Sequence, residues 1–290
     1  QMLNEDGGIE TDLTVVCLGN NYFRIVTSAA NRERDKFHIL KHLSHEVEFN
    51  DVTDEIACFG VFGPKSRNLM SQLSSENFSN ENIKFGTCKE IKINNIEILA
   101  QRLSYVGELG FELYMDIKDS KEIFNLITEK GKEFKLSLCG MLAMDTMRME
   151  SGYLHWGHDI SAEENQYEAG LQFAVSYKKE INFIGKESLL KIKDKKISKK
   201  LAMFTLKNAK PGYPLMLHDE PIYLDNKIIG RTTSANFSFN FNKNLAFGYI
   251  KFEGDLNLLK EKKFYIEIEK QKHEAEILLK PLNLKNIKKA

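Results

Sequence analysis

This sequence of 290 residues is informative first for what it has little of. It carries 41 basic and 41 acidic residues, so it lacks the basic excess that a phosphate-binding surface usually shows. No uncharged apolar run reaches the roughly 18–20 residues that a membrane-spanning helix needs. We therefore expect no nucleic-acid partner and no membrane partner.

Cysteine is scarce as well. Cys17, Cys58, Cys88 and Cys139 lie far apart, without the paired spacing of a zinc site, a redox motif or a disulfide framework. This scarcity predicts a reducing compartment, the cytoplasm, or the mitochondrial matrix if the source is a eukaryote. The sequence begins at Gln1 without an initiator methionine, and we expect a further part upstream.

Histidine spacing is the only feature from which a metal site can be drawn. His38, His42 and His45 form one group, and His155 with His158 forms another. Neither group has a cysteine or carboxylate at a diagnostic spacing, so we predict no metal. The sequence also lacks a Gly-x-Gly-x-x-Gly fingerprint, a Gly-x-Ser-x-Gly elbow and a phosphate-binding loop. These absences remove the usual signatures of dinucleotide-binding proteins, serine hydrolases and P-loop enzymes.

The order of predicted elements changes near residue 198. Before it, strands and helices occur in mixed order, including a hairpin at 11–27 and helices at 120–134 and 141–151, which indicates an α+β domain. After it, short strands separated by turn residues predict a small antiparallel β-barrel or sandwich. A lysine-rich stretch at 178–200 lies between the two patterns. We predict one domain at 1–197 and a second at 198–290.

Asp12 is the first candidate for chemistry. Gly7 and Gly8 allow a tight turn, which delivers this carboxylate at the start of an apolar strand beside Leu13 and Val15. A carboxylate at the mouth of a pocket suits a general base or an anchor for a cationic amine intermediate. A turn-capping aspartate accounts for the same pattern, and the residues alone leave both interpretations open.

Tyr105 and Glu112 flank a Gly-x-x-Gly turn. We expect one strand to end at Tyr105 and the next to start at Phe111. Tyrosine offers a flat face with a polar tip, and glutamate offers a bidentate acceptor. The combination suits a heteroaromatic ring that carries an amino group and ring N–H donors.

The stretch 143–159 contains the third group of candidates. Asp145 and Arg148 are three residues apart on a predicted helix, so they share a face and can form an ion pair. Trp156, the only tryptophan, lies among glycines and histidines in an irregular segment that a ligand can approach. A packing role explains Trp156 equally well. The helix methionines we interpret as core residues.

Together these segments resemble the folate-binding aminomethyltransferase family, which includes the glycine cleavage T-protein. The resemblance covers nearly the whole chain and is closest to the C-terminal half of the sarcosine and dimethylglycine dehydrogenases. The stretches that carry it are QMLNEDGGIETDLTV at the N-terminus, FGVFGP at 59–64, SYVGELGFELY at 104–114, MRMESGYLHWGHDI at 147–160, EAGLQFAV at 168–175, FIGKE at 183–187, GRTTSANFSF at 230–239 and LAFGYI at 245–250.

This resemblance implies a tetrahydrofolate-binding domain followed by a small β-barrel. By their positions in the family motifs, Asp12 lies beside the reactive folate nitrogens, and Tyr105 and Glu112 contact the pterin. Trp156 is our further candidate for the folate site, and Glu108 is assigned to structure. The implied function is capture of the iminium carbon of oxidised sarcosine or dimethylglycine as 5,10-methylenetetrahydrofolate. The partners implied are folate and a small amine substrate.

The chain also departs from the family pattern. Met144 stands where glycine cleavage proteins usually carry an arginine, as is typical of the dehydrogenase branch. The first elements of the family domain lie outside this sequence, and FAD is expected only in an upstream domain of the same polypeptide or complex. One alternative is a stand-alone T-protein that receives its aminomethyl group from a lipoyl carrier protein. Others are a non-catalytic folate-domain regulatory protein and, more distantly, a sulfonium demethylase.

Overall fold

The computed structural model describes residues 1–193 and 195–289. Its strands are β1 (Met2–Leu3), β2 (Ile9–Thr11), β3 (Thr14–Gly19), β4 (Tyr22–Val26), β5 (Ile56–Phe62), β6 (Cys88–Ile93), β7 (Ile96–Gln101), β8 (Gly110–Asp116), β9 (Lys199–Leu206), β10 (Pro221–Leu224), β11 (Lys227–Ser238), β12 (Lys243–Lys251), β13 (Phe264–Ile268) and β14 (Gln271–Leu278). Its α-helices are α1 (Arg32–His42), α2 (Ser66–Leu73), α3 (Ser120–Gly131), α4 (Met141–Glu150) and α5 (Lys186–Lys193). Within the described ranges no helix has both the length and the apolar character to cross a membrane.

The chain divides into two compact units. The sheet unit consists of Thr14–Met144 and Leu284–Ala290, and the barrel unit of Gln1–Leu13 and Asp145–Asn283. Each unit is therefore assembled from segments that are distant in sequence. The predicted domain boundary after residue 197 stays a prediction.

The sheet unit is built on four antiparallel strands in the order β5-β8-β7-β6. Successive side chains of a strand point to opposite faces. Phe111, Leu113 and Met115 of β8 are buried in a core that also contains residues of α2 and α3. Glu112 and Tyr114 therefore point to the other face of the sheet. This alternation places the predicted acceptor on the face opposite the one that packs against α2 and α3.

The predicted hairpin is confirmed, since β3 and β4 pair as a separate two-stranded sheet with Asn21 at a positive φ of 59°. The predicted strand end at Tyr105 is wrong. β7 ends at Gln101, and from Arg102 onward the backbone bonds to another loop, with its N–H donating to Thr87 and its carbonyl accepting from Gly86. Tyr105 consequently lies within the irregular loop that joins β7 to β8.

The barrel unit contains a closed six-stranded antiparallel barrel in the order β10-β11-β12-β9-β14-β13. Its interior is apolar, and Phe204 and Phe264 meet edge to face with ring centroids 5.2 Å apart. The predicted order of an α+β region followed by a small antiparallel β-barrel is thus confirmed. Sequence reasoning did not include α5 or the four-residue strand β10.

Candidate functional site

The turn that leads to Asp12 is held by short contacts inside the barrel unit. β1 pairs with β2, and the side-chain oxygen of Asn4 accepts a hydrogen bond from the Gly8 N–H at 2.8 Å. A Cβ on Gly8 would lie 1.9 Å from the carbonyl oxygen of Ala162, so only glycine fits there. The predicted glycine turn is confirmed, and Asp12 follows directly after β2.

Asp12 combines an exposed position with a desolvated carboxyl group. The residue is exposed, yet burial of its carboxyl group raises the pKa of Asp12 above its usual value, while a hydrogen bond with the Gln1 side chain opposes that shift. A carboxylate with a raised pKa accepts a proton more readily than an ordinary aspartate.

Trp156 supports the strand that precedes Asp12. Its indole N–H donates to the Ile9 carbonyl oxygen at 2.9 Å, and the side chain packs against a small core that contains Ile9, Ile160 and Ala169. The packing role is therefore observed. A contact of Trp156 with folate stays a prediction.

Arg148 is the centre of a buried polar cluster in the barrel unit. Its guanidinium pairs with Asp145 at 2.8 Å, which confirms the predicted ion pair within α4. It also lies 2.5 Å from a carboxylate oxygen of Asp159, and both side chains belong to residues that are only 1% exposed. The Tyr153 carbonyl oxygen accepts a further hydrogen bond at 3.0 Å. A buried pair of charges is tolerated only when its remaining donors and acceptors are engaged in this way.

Two hydroxyl groups of β11 complete the Arg148 cluster. Arg148 donates to Ser234 Oγ at 2.8 Å, and Thr233 Oγ1 donates to Asp159 at 2.6 Å. The register of β11 against β12 shifts between Thr232 and Ser234, so the strand has a bulge there. A bulge sets two residues of one strand against one of its partner, which re-aims the side chains. Sequence reasoning missed both hydroxyls because no local pattern marks the bulge.

Glu112 has an oriented carboxylate in the sheet unit. It is half-buried, and its Oε2 accepts a hydrogen bond from the Tyr114 hydroxyl at 2.5 Å. Burial, and secondarily this hydrogen bond, raise the pKa of Tyr114, so the phenol remains a protonated donor. A carboxylate accepts several hydrogen bonds, so Glu112 retains acceptor capacity for a ligand.

The β7–β8 loop carries Tyr105 and is anchored at its far end. The Leu109 carbonyl oxygen accepts from the Gly63 N–H at 2.8 Å and from the Ser66 hydroxyl at 3.2 Å. Glu108 forms an ion pair with Lys285, and its assignment to structure stays a prediction. Tyr105 itself is half-buried, and Glu112 belongs to the strand that follows the loop.

Gln101 is a neighbour of Glu112 that sequence reasoning missed. The two residues lie directly opposite each other in β7 and β8, so their side chains project from the same face. Gln101 is 3% exposed, and its amide oxygen is buried without a hydrogen-bond donor among the described residues. The same unit has a cavity of about 520 Å³ lined in part by Arg24, Leu99 and Tyr114. Neither Gln101 nor Glu112 lines that cavity, so at this position the face of the sheet offers two neighbouring acceptors.

Among the described residues, no three His, Cys, Asp or Glu side chains lie close enough together to hold a metal ion. His155 and His158 place their rings 4.5 Å apart in the barrel unit. Burial, followed by the neighbouring His158, lowers the pKa of His155, which favours its neutral form.

Comparison with known proteins identifies both parts of the chain. Residues 1–179 match the GCVT N-terminal domain, and residues 199–283 match the glycine cleavage T-protein C-terminal barrel domain. The chain is 33% identical over 252 residues to the mitochondrial dimethylglycine dehydrogenase of Homo sapiens, covering 86% of this chain and 29% of that protein. It is 37% identical over 251 residues to an aminomethyltransferase of Thermoanaerobacter pseudethanolicus, covering 86% of this chain and 66% of that protein.

A solved structure has the same fold. The glycine cleavage system aminomethyltransferase T from Bartonella henselae superposes with a TM-score of 0.80 at 22% identity, covering 97% of this chain and 74% of that one. At this identity the similarity shows only that the two proteins share a fold. The matches to both domains, in order, establish that the chain belongs to the glycine cleavage T-protein family.

Proposed function

We propose that this protein transfers a one-carbon unit to tetrahydrofolate as an aminomethyltransferase of the glycine cleavage type. The observation that carries the proposal is the 37% identity to an aminomethyltransferase, spread over 66% of that protein. In the proposed reaction the aminomethyl carbon gives up its bonds to the lipoyl sulfur and to the amine nitrogen and forms bonds to both reactive nitrogens of tetrahydrofolate. The two protons that these nitrogens lose pass to the sulfur and to the amine, so the carrier leaves as a thiol and ammonia is released. This was an alternative in the sequence-based prediction, and it is now the better supported one.

The residues of the sheet unit fit a folate ring. Glu112 and Gln101 present two acceptors from one face, and the N–H donors of a pterin need such acceptors. We propose that Glu112 binds the pterin edge and that Tyr105 contributes its ring face. Trp156 is proposed as a folate contact as well as the support of β2. Tetrahydrofolate, when bound, supplies the nucleophilic nitrogen that takes up the carbon.

Asp12 is proposed as the group that accepts the proton lost by this nitrogen and stabilises the cationic amine. Its position after the glycine turn and its raised pKa support this role. A general base of this kind contributes roughly 10²–10⁴-fold to a rate. A non-catalytic folate-domain protein has no need of this carboxylate.

The first experiment compares Asp12→Asn with wild type in a transfer assay that uses an aminomethyl-loaded lipoyl carrier and tetrahydrofolate. We expect the variant to bind folate normally and to lose roughly 10²-fold or more in rate, because the amide cannot accept the proton. Asp6→Asn is the matched control, since it removes the same charge from an exposed residue of the same turn. An undiminished rate in Asp12→Asn refutes the role of Asp12, and absence of transfer by wild type refutes the proposed function.

A pH profile sharpens the assignment. Only ionised Asp12 accepts a proton, so the wild-type rate should rise as pH increases through its folded-state pKa, which lies above the usual 3.8. The rising limb should therefore lie at higher pH than for an ordinary aspartate, and Asp12→Asn should lack it. A limb that persists in the variant belongs to another group.

A second candidate function is the one predicted first from the sequence, carbon capture in an FAD-dependent sarcosine or dimethylglycine dehydrogenase. The 33% identity to human dimethylglycine dehydrogenase favours it, although the match covers 29% of that protein. In this case the iminium carbon bonds to folate, the amine leaves, and an upstream flavin domain is the partner. Supplying either the loaded lipoyl carrier or a methyleneiminium donor, and measuring methylenetetrahydrofolate, separates the two functions.

A further inference from the structure

The last described residues of the chain, 284–289, belong to the sheet unit, and we call them the tail. They lie beyond the residues that match the T-protein barrel domain. Ile287 is buried, whereas the other five residues of the tail are exposed. The tail closes in a turn, in which the Lys289 N–H donates to the Asn286 carbonyl oxygen at 3.0 Å. One apolar side chain therefore anchors a segment that is otherwise in contact with water.

The tail contacts Arg102, the residue at the start of the β7–β8 loop. The Arg102 side chain is 1% exposed, and its guanidinium donates to the Ile83 carbonyl oxygen at 3.0 Å and to the Ile287 carbonyl oxygen at 3.2 Å. A guanidinium has five N–H donors, and a buried donor that loses its acceptor costs the desolvation of that group. The tail therefore supplies one of the acceptors that stabilise Arg102 in its buried position.

Glu108, near the end of the same loop, is the second point of contact with the tail. It forms an ion pair with Lys285, in which the Glu108 side chain is 15% exposed and the Lys285 side chain 61% exposed. A partly desolvated carboxylate interacts more strongly with its counter-ion than one in open water. Arg102 lies three residues before Tyr105, and Glu108 lies three residues after it. The tail therefore contacts the loop on both sides of this tyrosine.

The tail is also attached to the segment between α2 and β6. Asn80 Nδ2 donates to the Lys289 carbonyl oxygen at 3.3 Å, and Lys288 Nζ lies 5.9 Å from the centroid of the Phe85 ring. These contacts do not involve the β7–β8 loop. The tail thus has attachments of its own to the sheet unit, and a segment that is itself attached can hold a second one in place.

We propose that the tail positions the β7–β8 loop, and with it Tyr105, for binding of the folate ring. The choice of ligand rests on the proposed function, whereas the ordering of the loop by the tail does not. A loop that is already held in its bound conformation loses less conformational freedom when the ligand binds, so the affinity is higher. Arg102, Glu108 and the tail act through the position of the loop, so they are positioning residues.

A general contribution to stability is the competing explanation for the tail. In that case its removal lowers the unfolding free energy of the protein and leaves the loop of the folded protein as ordered as before. Positioning predicts a local change instead. Amide hydrogen exchange distinguishes the two, because local opening of a loop and global unfolding expose different sets of amides.

The first experiment exchanges the charges of the ion pair. Lys285→Glu places two carboxylates together, so we expect hydrogen exchange in residues 102–109 to become several-fold faster and the calorimetric Kd for tetrahydrofolate to rise several-fold. Adding Glu108→Lys restores opposite charges and should return both values toward those of wild type. Lys289→Glu is the matched control, because it makes the same charge change at an exposed residue of the tail, and it should alter neither value.

A second variant, in which the chain ends at Asn283, removes both attachments of the loop to the tail. We expect exchange in residues 102–109 to become about tenfold faster or more, while exchange in β8 changes little. Affinity for tetrahydrofolate should fall about tenfold or more, as for a lost hydrogen bond to a charged group.

The outcomes separate this inference from the proposed function. Equal loop exchange in the shortened and full chains overturns the inference, whether or not folate binds. Faster loop exchange with unchanged folate affinity overturns the positioning of Tyr105. A charge-exchanged double variant that behaves like Lys285→Glu removes the ion pair from the two attachments. Absence of folate binding by the full chain refutes the proposed function and the folate part of the inference, while the exchange comparison still decides whether the tail holds the loop.

Discussion

Two buried polar clusters of this protein differ in how completely their hydrogen-bond donors and acceptors are paired. The Arg148 cluster in the barrel unit is closed: the guanidinium bonds to Asp145, Asp159, Ser234 and a backbone carbonyl. The Gln101–Glu112 pair in the sheet unit is open, because the amide oxygen of Gln101 has no donor among the described residues. A closed network holds the fold together, whereas an open one keeps capacity for a ligand. Buried polarity alone therefore does not indicate a binding site.

The largest effect should come from opening the closed cluster. Arg148→Met leaves Asp159 buried without its charge partner, and breaking such a pair costs about 3–5 kcal/mol of unfolding free energy. Urea unfolding followed by circular dichroism measures it. Lys92→Met is the control, since Lys92 pairs with Glu97 where both side chains are exposed, and such surface pairs contribute little to stability. Equal losses in both variants would contradict the comparison.

The next effect tests the hydroxyl supplied by the bulge. Thr233→Val keeps the β-branched shape and removes the hydrogen bond to Asp159, so we expect a loss of roughly 1.5–3 kcal/mol, as for bonds to charged groups. Denaturant unfolding is again the measurement. Thr53→Val removes a hydrogen bond to Asp51 at an exposed position and should cost less. If Thr233→Val loses no more unfolding free energy than Thr53→Val, the hydrogen bond from Thr233 does not stabilise the Arg148 cluster.

In the open cluster, substitution should affect binding more than stability. Glu112→Gln retains an acceptor for the Tyr114 hydroxyl but removes the charge, so stability should change little. Affinity for tetrahydrofolate should fall about tenfold, corresponding to about 1.4 kcal/mol. Glu90→Gln, an exposed change on β6, is the control for charge alone. If calorimetry finds the same affinity in all three proteins, Glu112 does not bind the pterin.

The smallest effect has the opposite sign. Gln101→Leu removes a buried carbonyl that has no described donor, so the free protein should gain about 1 kcal/mol of unfolding free energy. In the Arg148 cluster, by contrast, removal of any of the hydrogen-bonding side chains should lower the unfolding free energy. A destabilised Gln101→Leu protein would mean that the amide is satisfied in solution, which would make the two clusters alike.

Several elements were predictable because they depend on local patterns. The alternation in β8 predicts a buried face and a polar one, and Asn20 and Asn21 mark the β3–β4 turn. Other elements carry weak local signals. β10 has four residues and begins with a proline, and α5 buries only Leu189 within a lysine-rich stretch. Tyr105 was misplaced because a run of strand-forming residues continued past Gln101, where the backbone turns to another loop.

The sequence by itself determined the Asp145–Arg148 pair, the glycine turn before Asp12 and the polar face of Glu112, since each follows from residues within one helix turn or one strand. Only the tertiary structure decided that Gln101 lies opposite Glu112, that Phe62 rests on Gly60 and Gly110, and that Thr233 reaches Asp159. The physical reason is strand register. Pairing between strands and the position of a bulge depend on the packing of distant segments, and a shift of one residue would turn each of these side chains to the opposite face.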